Sequence, residues 1–256
     1  MLKEFIISFQ AYYHTHRFII KHRLWKWIFV PGLIYALLFI TGIYFFSVSS
    51  TRVIEFMMLK TGLKEWMQQM QNSWLSFLLI FGQFILYLVL MLFYFSLFKY
   101  LFLIIGSPLF AYLSEKTEAI IEGKAFPFNS DQLIKDILRS VRLAMRNLLW
   151  QTVYVISILL LSFIPVIGWI TPLLALGVEC YYLGFSMLDY SFERNKLSSA
   201  QSIAFIGRHK GLAIGNGLIF YLMHLLPVLG WILAPGYAVI AATISLYNTK
   251  TADDNT

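Results

Sequence analysis

Two six-residue stretches of this chain are near copies of each other. Residues 165–170 read PVIGWI and residues 227–232 read PVLGWI, and each stretch lies inside a long apolar run. Proline interrupts a helix because it lacks the backbone N–H, and backbone groups set free inside a bilayer find no water to bind. We therefore predict an internal repeat of two helical hairpins. The residues at the two breaks are Pro165, Gly168, Pro227 and Gly230.

The composition argues against a water-soluble domain. Apolar residues make up 59% of the chain, charged residues make up 13%, and the mean hydropathy is +0.71. Soluble domains carry roughly 45–50% apolar and about 25% charged residues. Two uncharged stretches, 27–48 and 75–98, are long enough for a bilayer, which takes about 20 residues to cross. The sequence therefore predicts an all-α integral membrane protein with two long transmembrane helices.

The net charge of +7 raises the question of nucleic acid, but its distribution argues against that partner. The basic residues flank apolar segments, as the positive-inside rule describes. Only three of the 20 Lys and Arg residues lie between residues 49 and 74. We therefore expect this loop to face outside, and both termini to be cytoplasmic if each hairpin returns to the side it entered from. The first span is expected to serve as an uncleaved signal, and the single Cys180 excludes an intrachain disulfide.

The segments outside the spans have amphipathic patterns. Residues 1–26 mix aromatic and basic side chains and are predicted to form a helix at the membrane interface. After the second span, Gly106-Ser107-Pro108 predicts an interruption, with Pro108 at the first position of a new helix. Residues 108–147 are predicted to form amphipathic helices on the cytoplasmic side. Their basic stripe consists of Lys135, Arg139, Arg142 and Arg146.

The hairpins are predicted at residues 148–188 and 212–246, followed by a tail at 250–256, all within one membrane domain. The shortest arm, residues 212–226, is about 22 Å long, against a hydrocarbon core of about 30 Å. Two architectures remain open: four further spans, or two re-entrant hairpins that turn back inside the membrane. Both breaks lack the charged residues and Asn that are common in turns reaching water. This absence favours the re-entrant architecture.

The order of these segments resembles a known family. A basic segment, two spans, Gly-Ser-Pro, a basic helix and two Pro-x-x-Gly hairpins follow one another, with Glu179-x4-Gly184-x4-Asp189-Tyr190 between the breaks. The chain looks like the CysZ-type sulfate permeases, which share their domain with the etoposide-induced proteins. The resemblance covers nearly the whole chain. It implies a bacterial inner-membrane protein with two transmembrane helices, two pairs of hemi-penetrating helices, homo-oligomeric assembly and sulfate uptake.

A first candidate site lies at the entrance to the first span. The family's sulfate-contacting segment looks like Gly-x-Arg-Arg just before a proline, and the matching stretch here is Leu24-Trp25-Lys26, with Pro31 in register. The resemblance therefore implies oxyanion binding at Lys26, with Arg23 close enough to take part. Lysine lacks the fork with which arginine holds an oxyanion through two bonds, so this departure weakens the case for sulfate specificity. The alternative role for both residues is ordinary anchoring at the cytoplasmic face.

Three polar residues within the hairpins are further candidates. Glu179 lies in an otherwise apolar arm, where a carboxylate indicates either an ion pathway or a paired structural contact, for example with Arg146. Asp189 is expected to cap the following turn and to pair with Arg194. His224 lies near the second break, where it is either a titrating group in a proton-coupled step or a hydrogen-bonded interior side chain.

The sequence contains no Gly-rich phosphate loop, no nucleophile elbow, and no His or Cys cluster for a metal, so neither an enzyme nor a cofactor is expected. The leading hypothesis is a permease or channel for an inorganic oxyanion, most of all sulfate. In this hypothesis the broken helices present half-helix ends at membrane depth. The alternative is a non-transporting scaffold that shapes or senses the bilayer through half-inserted hairpins. The expected partners are membrane lipid, an oxyanion and further copies of the chain.

Overall fold

The computed structural model describes residues 1–60, 62, 74–124, 130–164, 166–194 and 197–253. Within these ranges the chain forms helices joined by short connections and contains no strand. The helices are α1 (Leu2–His22), α2 (Trp25–Lys60), α3 (Trp74–Glu122), α4 (Ser130–Leu161), α5 (Thr171–Arg194), α6 (Ser199–Arg208), α7 (Lys210–His224) and α8 (Leu229–Asp253), with a 3-10 turn at Ile167–Ile170.

Among the described residues, five helical stretches are long and apolar enough to cross a membrane. They lie in α2, α3, α4, the 3-10 turn with α5, and α8. The prediction of an all-helical membrane protein is therefore confirmed. Helix α7 has 15 residues, fewer than the roughly 20 that a full crossing requires.

Several helices run further than the sequence pattern predicts. Helix α2 continues past Val48 to Lys60, so part of the expected outer loop is helical. Helix α8 continues to Asp253, so the expected tail begins inside a helix. The predicted interruption at Gly106-Ser107-Pro108 is wrong, because α3 is continuous from Trp74 to Glu122.

Local hydrogen bonding explains why α3 tolerates its proline. Pro108 has no N–H to donate to the carbonyl of Ile104, one helical turn earlier. The hydroxyl of Ser107 donates to that carbonyl instead, at 2.9 Å. The freed acceptor is therefore satisfied without water, as a membrane environment requires.

Helices α5 and α7 cross at a point where both present small residues. A Cβ atom added to Gly184 would lie 1.9 Å from the carbonyl oxygen of Ala213, and one added to Gly217 would lie 1.9 Å from that of Cys180. Small residues allow helix backbones to approach this closely inside a membrane. This crossing joins the two hairpins.

The α2–α3 pair contacts both hairpin breaks. At the first break Trp169 packs on Phe81 of α3, with ring centroids 5.4 Å apart. At the second break Trp231 packs on Phe39 of α2, which stacks on Phe95 of α3. Phe81 and Phe95 are about 21 Å apart along α3, so the two breaks meet this helix pair at separate points.

Helix α1 packs along α7 and α8. The carboxylate of Glu4 accepts the backbone N–H of Gly211 at 3.0 Å, at the N-terminus of α7, where negative charge is favourable. The hydroxyl of Tyr12 donates to the carbonyl of Asn216 at 3.0 Å, and burial raises the pKa of this hydroxyl well above its ordinary value. One face of the predicted interfacial helix is therefore covered by protein.

Candidate functional site

A buried ion pair connects α3 to the first hairpin. The carboxylate of Glu179 in α5 is 1% exposed, and its Oε2 lies 2.6 Å from Nζ of Lys99 in α3, which is 4% exposed. The hydroxyl of Tyr221 in α7 donates to the same oxygen at 2.8 Å, and Nε2 of Gln151 in α4 donates to the other oxygen, Oε1. Three helices thus direct three donors at one carboxylate on a fourth helix.

The expected pairing of Glu179 with Arg146 is wrong. Arg146 donates to Oδ1 of Asn147 at 3.1 Å. It precedes Gln151 by five residues, which corresponds to about 140° around α4. Since Gln151 faces Glu179, the arginine points away from it.

Gln151 also has partners that hold its amide in place. Its Oε1 accepts hydrogen bonds from Nζ of Lys99 at 3.0 Å and from the hydroxyl of Tyr100 at 2.7 Å. Its Nε2 donates to Oγ of Ser96 at 2.6 Å as well as to Glu179. Both amide hydrogens and the amide oxygen are used, so this side chain has a defined orientation.

Buried charges are stable only when they are paired. Removing an ion from water costs several kcal/mol, and breaking a buried pair by deleting one partner costs about 3–5 kcal/mol. Apolar side chains of similar volume often stabilise a core as well as a buried pair does. An ionisable pair among apolar membrane helices is therefore a candidate for an ion pathway.

A cavity of about 610 Å³ adjoins the ion pair. Its lining residues belong to α2, α3, α5, α8 and the second half of α7 with its C-terminal end, and most of its wall is apolar or aromatic. Its rim includes Ile43 and Leu225, which are 40% and 75% exposed, so the cavity opens at the apolar surface of the chain. The titratable groups in its wall include Lys99, Glu179, Tyr221 and His224.

His224 lies in the cavity wall at the end of α7. Its Nδ1 lies 3.2 Å from the carbonyl oxygen of Phe220, and its own carbonyl accepts a hydrogen bond from Nε1 of Trp231 at 3.2 Å. Its Nε2 is buried and has no hydrogen-bond partner among the described residues. These contacts make His224 an interior residue that links α7 to the second break, while its titration in a coupled step stays a prediction.

The predicted oxyanion residues Arg23 and Lys26 lie elsewhere, at the junction of α1 and α2. Arg23 ends α1 in the left-handed conformation (φ 52°, ψ 43°), and Lys26 lies in the first turn of α2. Both side chains are exposed. The first cavity-lining residue of α2 is Tyr35, nine residues and about 14 Å further along. The structure therefore separates this entrance from the buried ion pair.

Asp189 connects three helices on the side of the hairpins away from the breaks. It is 3% exposed, and its Oδ1 lies 3.3 Å from Nη2 of Arg139 in α4. The same nitrogen donates to Oγ of Ser202 in α6 at 2.7 Å. The expected partner Arg194 has a side chain outside the described residues. The observed contacts are those of a structural carboxylate.

The two hairpin breaks share an unusual backbone conformation. Val166 and Val228 follow the two prolines and have φ angles of 72° and 63°. Positive φ is rare for β-branched residues. Pro165 lies outside the described residues, and Pro227 accepts the N–H of Leu229 at 2.7 Å. The internal repeat therefore extends to backbone geometry.

The glycines of the breaks also match. The N–H of Gly168 donates to the carbonyl of Ile164 at 2.8 Å, and that of Gly230 donates to the carbonyl of Leu226 at 2.9 Å. A Cβ atom on Gly168 would lie 2.5 Å from the nearest backbone oxygen, and one on Gly230 would lie 1.9 Å away. Glycine is required at both positions because the chain folds back too closely for a side chain.

The chemistry of the site suits an anion. Within the described ranges, His, Cys, Asp and Glu form no group of three that could hold a metal ion. The buried cluster instead combines one cation with neutral N–H and O–H donors. Such groups bind carboxylates and oxyanions.

The sequence pattern does not identify three members of this buried cluster, namely Lys99, Gln151 and Tyr221. Lys99 follows an uncharged stretch and has the appearance of an ordinary positively charged flank. The sequence signal that Lys99 is buried is the apolar run Tyr100–Ile105 directly after it. Because α3 continues through this run, Lys99 lies inside the helix rather than at its end.

Known proteins resemble this chain over most of its length. The family described as "Sulfate transporter CysZ/Etoposide-induced protein 2.4" matches residues 13–235. A protein of Pseudomonas fluorescens (strain Pf0-1) named "Sulfate transporter CysZ" is 30% identical over 186 residues, which cover 71% of this chain and 73% of the relative. A protein of the same name from Pectobacterium atrosepticum (strain SCRI 1043) is 30% identical over 195 residues, covering 73% and 70%.

These matches confirm the resemblance seen in the order of the motifs. Together with the five apolar helices, they identify a multi-pass membrane protein. The chain belongs to the sulfate transporter CysZ/etoposide-induced protein 2.4 family.

Proposed function

We propose that this protein is a membrane permease or channel for an inorganic oxyanion, with sulfate as its substrate. The relatives named sulfate transporters support this substrate. The observation that carries the proposal is the Lys99–Glu179 pair, buried among apolar helices beside a cavity of about 610 Å³. A scaffold that acts only through half-inserted hairpins has no need of such a pair.

In this proposal Arg23 and Lys26 bind the oxyanion where α2 begins. Both are exposed cations, and the first backbone N–H groups of a helix, together with its dipole, attract anions. The cavity, which begins at Tyr35 about 14 Å further along α2, then leads to Lys99. The entrance raises the local anion concentration, and the buried cluster holds the anion away from water.

The proposal includes a topology in the bacterial inner membrane with both termini cytoplasmic. The distribution of Lys and Arg supports this orientation. Re-entrant hairpins are supported by the 15-residue length of α7 and by the uncharged breaks. A homo-oligomer is supported by the opening of the cavity at the apolar surface, because a second copy at that opening would separate it from lipid chains.

Flux of labelled sulfate into proteoliposomes tests the proposal. Wild-type protein is expected to admit sulfate well above the rate of empty liposomes. Arg23→Ala/Lys26→Ala is expected to reduce this rate by about tenfold, since a charge-assisted hydrogen bond contributes about 1.5 kcal/mol or more. The matched control Lys3→Ala/Lys21→Ala removes the same charge from exposed positions of α1 and is expected to retain the wild-type rate.

The outcomes separate the transporter from the scaffold. If liposomes that contain the wild-type protein take up sulfate and other oxyanions no faster than empty liposomes, the transport proposal is rejected and the scaffold is favoured. If both double variants lose flux equally, the effect belongs to surface charge, and Arg23 and Lys26 have no specific role.

A further inference from the structure

We propose that Glu179 is a tethered anion that occupies an oxyanion-binding cradle formed by Lys99, Gln151 and Tyr221. The inference rests on the proposed function and extends it by naming the site that holds the anion inside the membrane. In this arrangement the carboxylate of Glu179 fills the site at rest, and the transported oxyanion displaces it.

The donors around Glu179 are those of an oxyanion site. Lys99 and Tyr221 donate to one carboxylate oxygen at 2.6 and 2.8 Å, and Gln151 donates to the other. Three converging donors, one of them positively charged, suit the several acceptor oxygens of an inorganic oxyanion. The Glu179 carboxylate therefore occupies the position that we propose for the oxygen atoms of the transported oxyanion.

Two of the three cradle donors have partners other than Glu179. Gln151 is held by Tyr100 and Ser96 in addition to Glu179, at 2.7 and 2.6 Å. Lys99 is held by Gln151 at 3.0 Å. Removal of the carboxylate therefore leaves Lys99 and Gln151 positioned to bind an anion.

The adjoining cavity gives both anions a route. Lys99, Glu179 and Tyr221 all line it, so an oxyanion in the cavity reaches the Lys99 and Tyr221 donors directly. Gln151 lies behind Glu179, outside the cavity lining, and becomes accessible when the carboxylate moves. Rotation about the side-chain bonds of Glu179 moves its carboxylate into the same space. Lys99 then exchanges one anionic partner for another and is not left as an isolated buried charge.

The experiment measures thermal unfolding of the purified full chain in detergent, with sodium sulfate and with sodium chloride at equal ionic strength. The variants are Glu179→Ala, which empties the cradle, and Lys99→Met/Glu179→Ala, which also removes its charge. Sulfate is expected to raise the unfolding midpoint of Glu179→Ala by at least about 5 °C more than it raises that of wild type. In the double variant, sulfate is expected to raise the unfolding midpoint no more than it does in wild type.

Several outcomes would overturn the proposal. Equal sulfate responses in the single and double variants would mean that Lys99 holds no anion. Rescue of Glu179→Ala by sodium formate but not by sulfate would mean that the cradle accepts only a carboxylate. If Glu179→Ala fails to fold even in sulfate while the double variant folds, the pair serves structure alone.

The result is independent of the flux measurement. If wild-type protein transports sulfate but sulfate does not raise the unfolding midpoint of Glu179→Ala more than that of wild type, the transport proposal stands and the cradle proposal is rejected. If sulfate raises this midpoint only when Lys99 is present, but wild-type protein shows no sulfate flux, the cradle proposal stands and the transport proposal is rejected.

Discussion

At the scale of single residues, Val166 and Val228 adopt a conformation that valine rarely adopts. The N–H of Leu229 donates to the carbonyl of Pro227, which closes a three-residue turn around Val228 at φ 63°. Turns of this kind are strained, at a cost of about 1–3 kcal/mol per residue. Because the valines of both repeats have positive φ, we infer that the surrounding hairpin determines this conformation.

We expect Val228→Gly to stabilise the protein by about 1 kcal/mol, because glycine adopts positive φ without strain. The matched control is Val153→Gly at an exposed helical position of α4. This variant is expected to be less stable than wild type by about 0.3–0.5 kcal/mol, because glycine has a lower helix propensity than valine. Thermal unfolding in detergent measures both variants. A loss at Val228 as large as that at Val153 would show that the turn carries no relievable strain.

At the scale of elements, the approach of α5 to α7 depends on glycines. Their backbones meet where Gly184 faces Ala213 and Gly217 faces Cys180. Close packing of small residues stabilises helix pairs in membranes, where the hydrophobic effect does not drive association. The crossing holds Glu179 and Tyr221 on neighbouring helices within hydrogen-bonding distance.

We expect Gly184→Ala to destabilise the protein by about 1–3 kcal/mol, because its Cβ would overlap the Ala213 carbonyl and force the helices apart. Gly177→Ala in the same helix is the control. A Cβ atom there meets nothing within 4 Å, so helix propensity predicts a gain of up to about 1 kcal/mol. Thermal unfolding that ranks the two variants equally, or in the reverse order, would contradict the proposed role of the crossing.

At the scale of the whole molecule, the cavity exists only because separate parts of the chain come together. Residues of both hairpins and of the α2–α3 pair line it, and Phe81 and Phe39 of that pair pack on the two breaks. No single hairpin encloses this space. The accessibility of the breaks to a water-soluble reagent therefore tests how the complete chain is arranged in the membrane.

We expect cysteines at Ile167 and Leu229 to resist an impermeant maleimide added from outside, because re-entrant breaks remain inside the membrane. Both positions are exposed on the chain, so protection would come from lipid. The background is Cys180→Ser, since Cys180 is the only cysteine. The control is Leu59→Cys near the end of α2 that the proposed topology places outside; Leu59 is 66% exposed, and the cysteine is expected to react. Strong outside labelling at either break would establish a full crossing of that hairpin.

Much of the architecture could be predicted from local patterns. Apolar content, the distribution of Lys and Arg, and the repeated Pro-Val-x-Gly-Trp-Ile motif determined an all-helical membrane protein with two matching hairpins. These properties are local, since span length, charge bias and backbone breaks depend on residues close together in the chain. The local pattern Gly-Ser-Pro does not predict that the helix continues through Pro108, where the Ser107 hydroxyl binds the carbonyl freed by the proline.

Only the tertiary structure decided which polar groups meet. The sequence identified Glu179 as a buried carboxylate but not its partners Lys99 and Gln151, which are 80 and 28 residues away. Helix rotation decides such contacts: Gln151 faces Glu179, whereas Arg146 on the same helix points away. A charged residue in an apolar segment indicates that a partner is present, since an unpaired buried charge is costly. Helix packing decides which residue that partner is, because the free energy of pairing depends on the distance between the groups and not on their separation in the sequence.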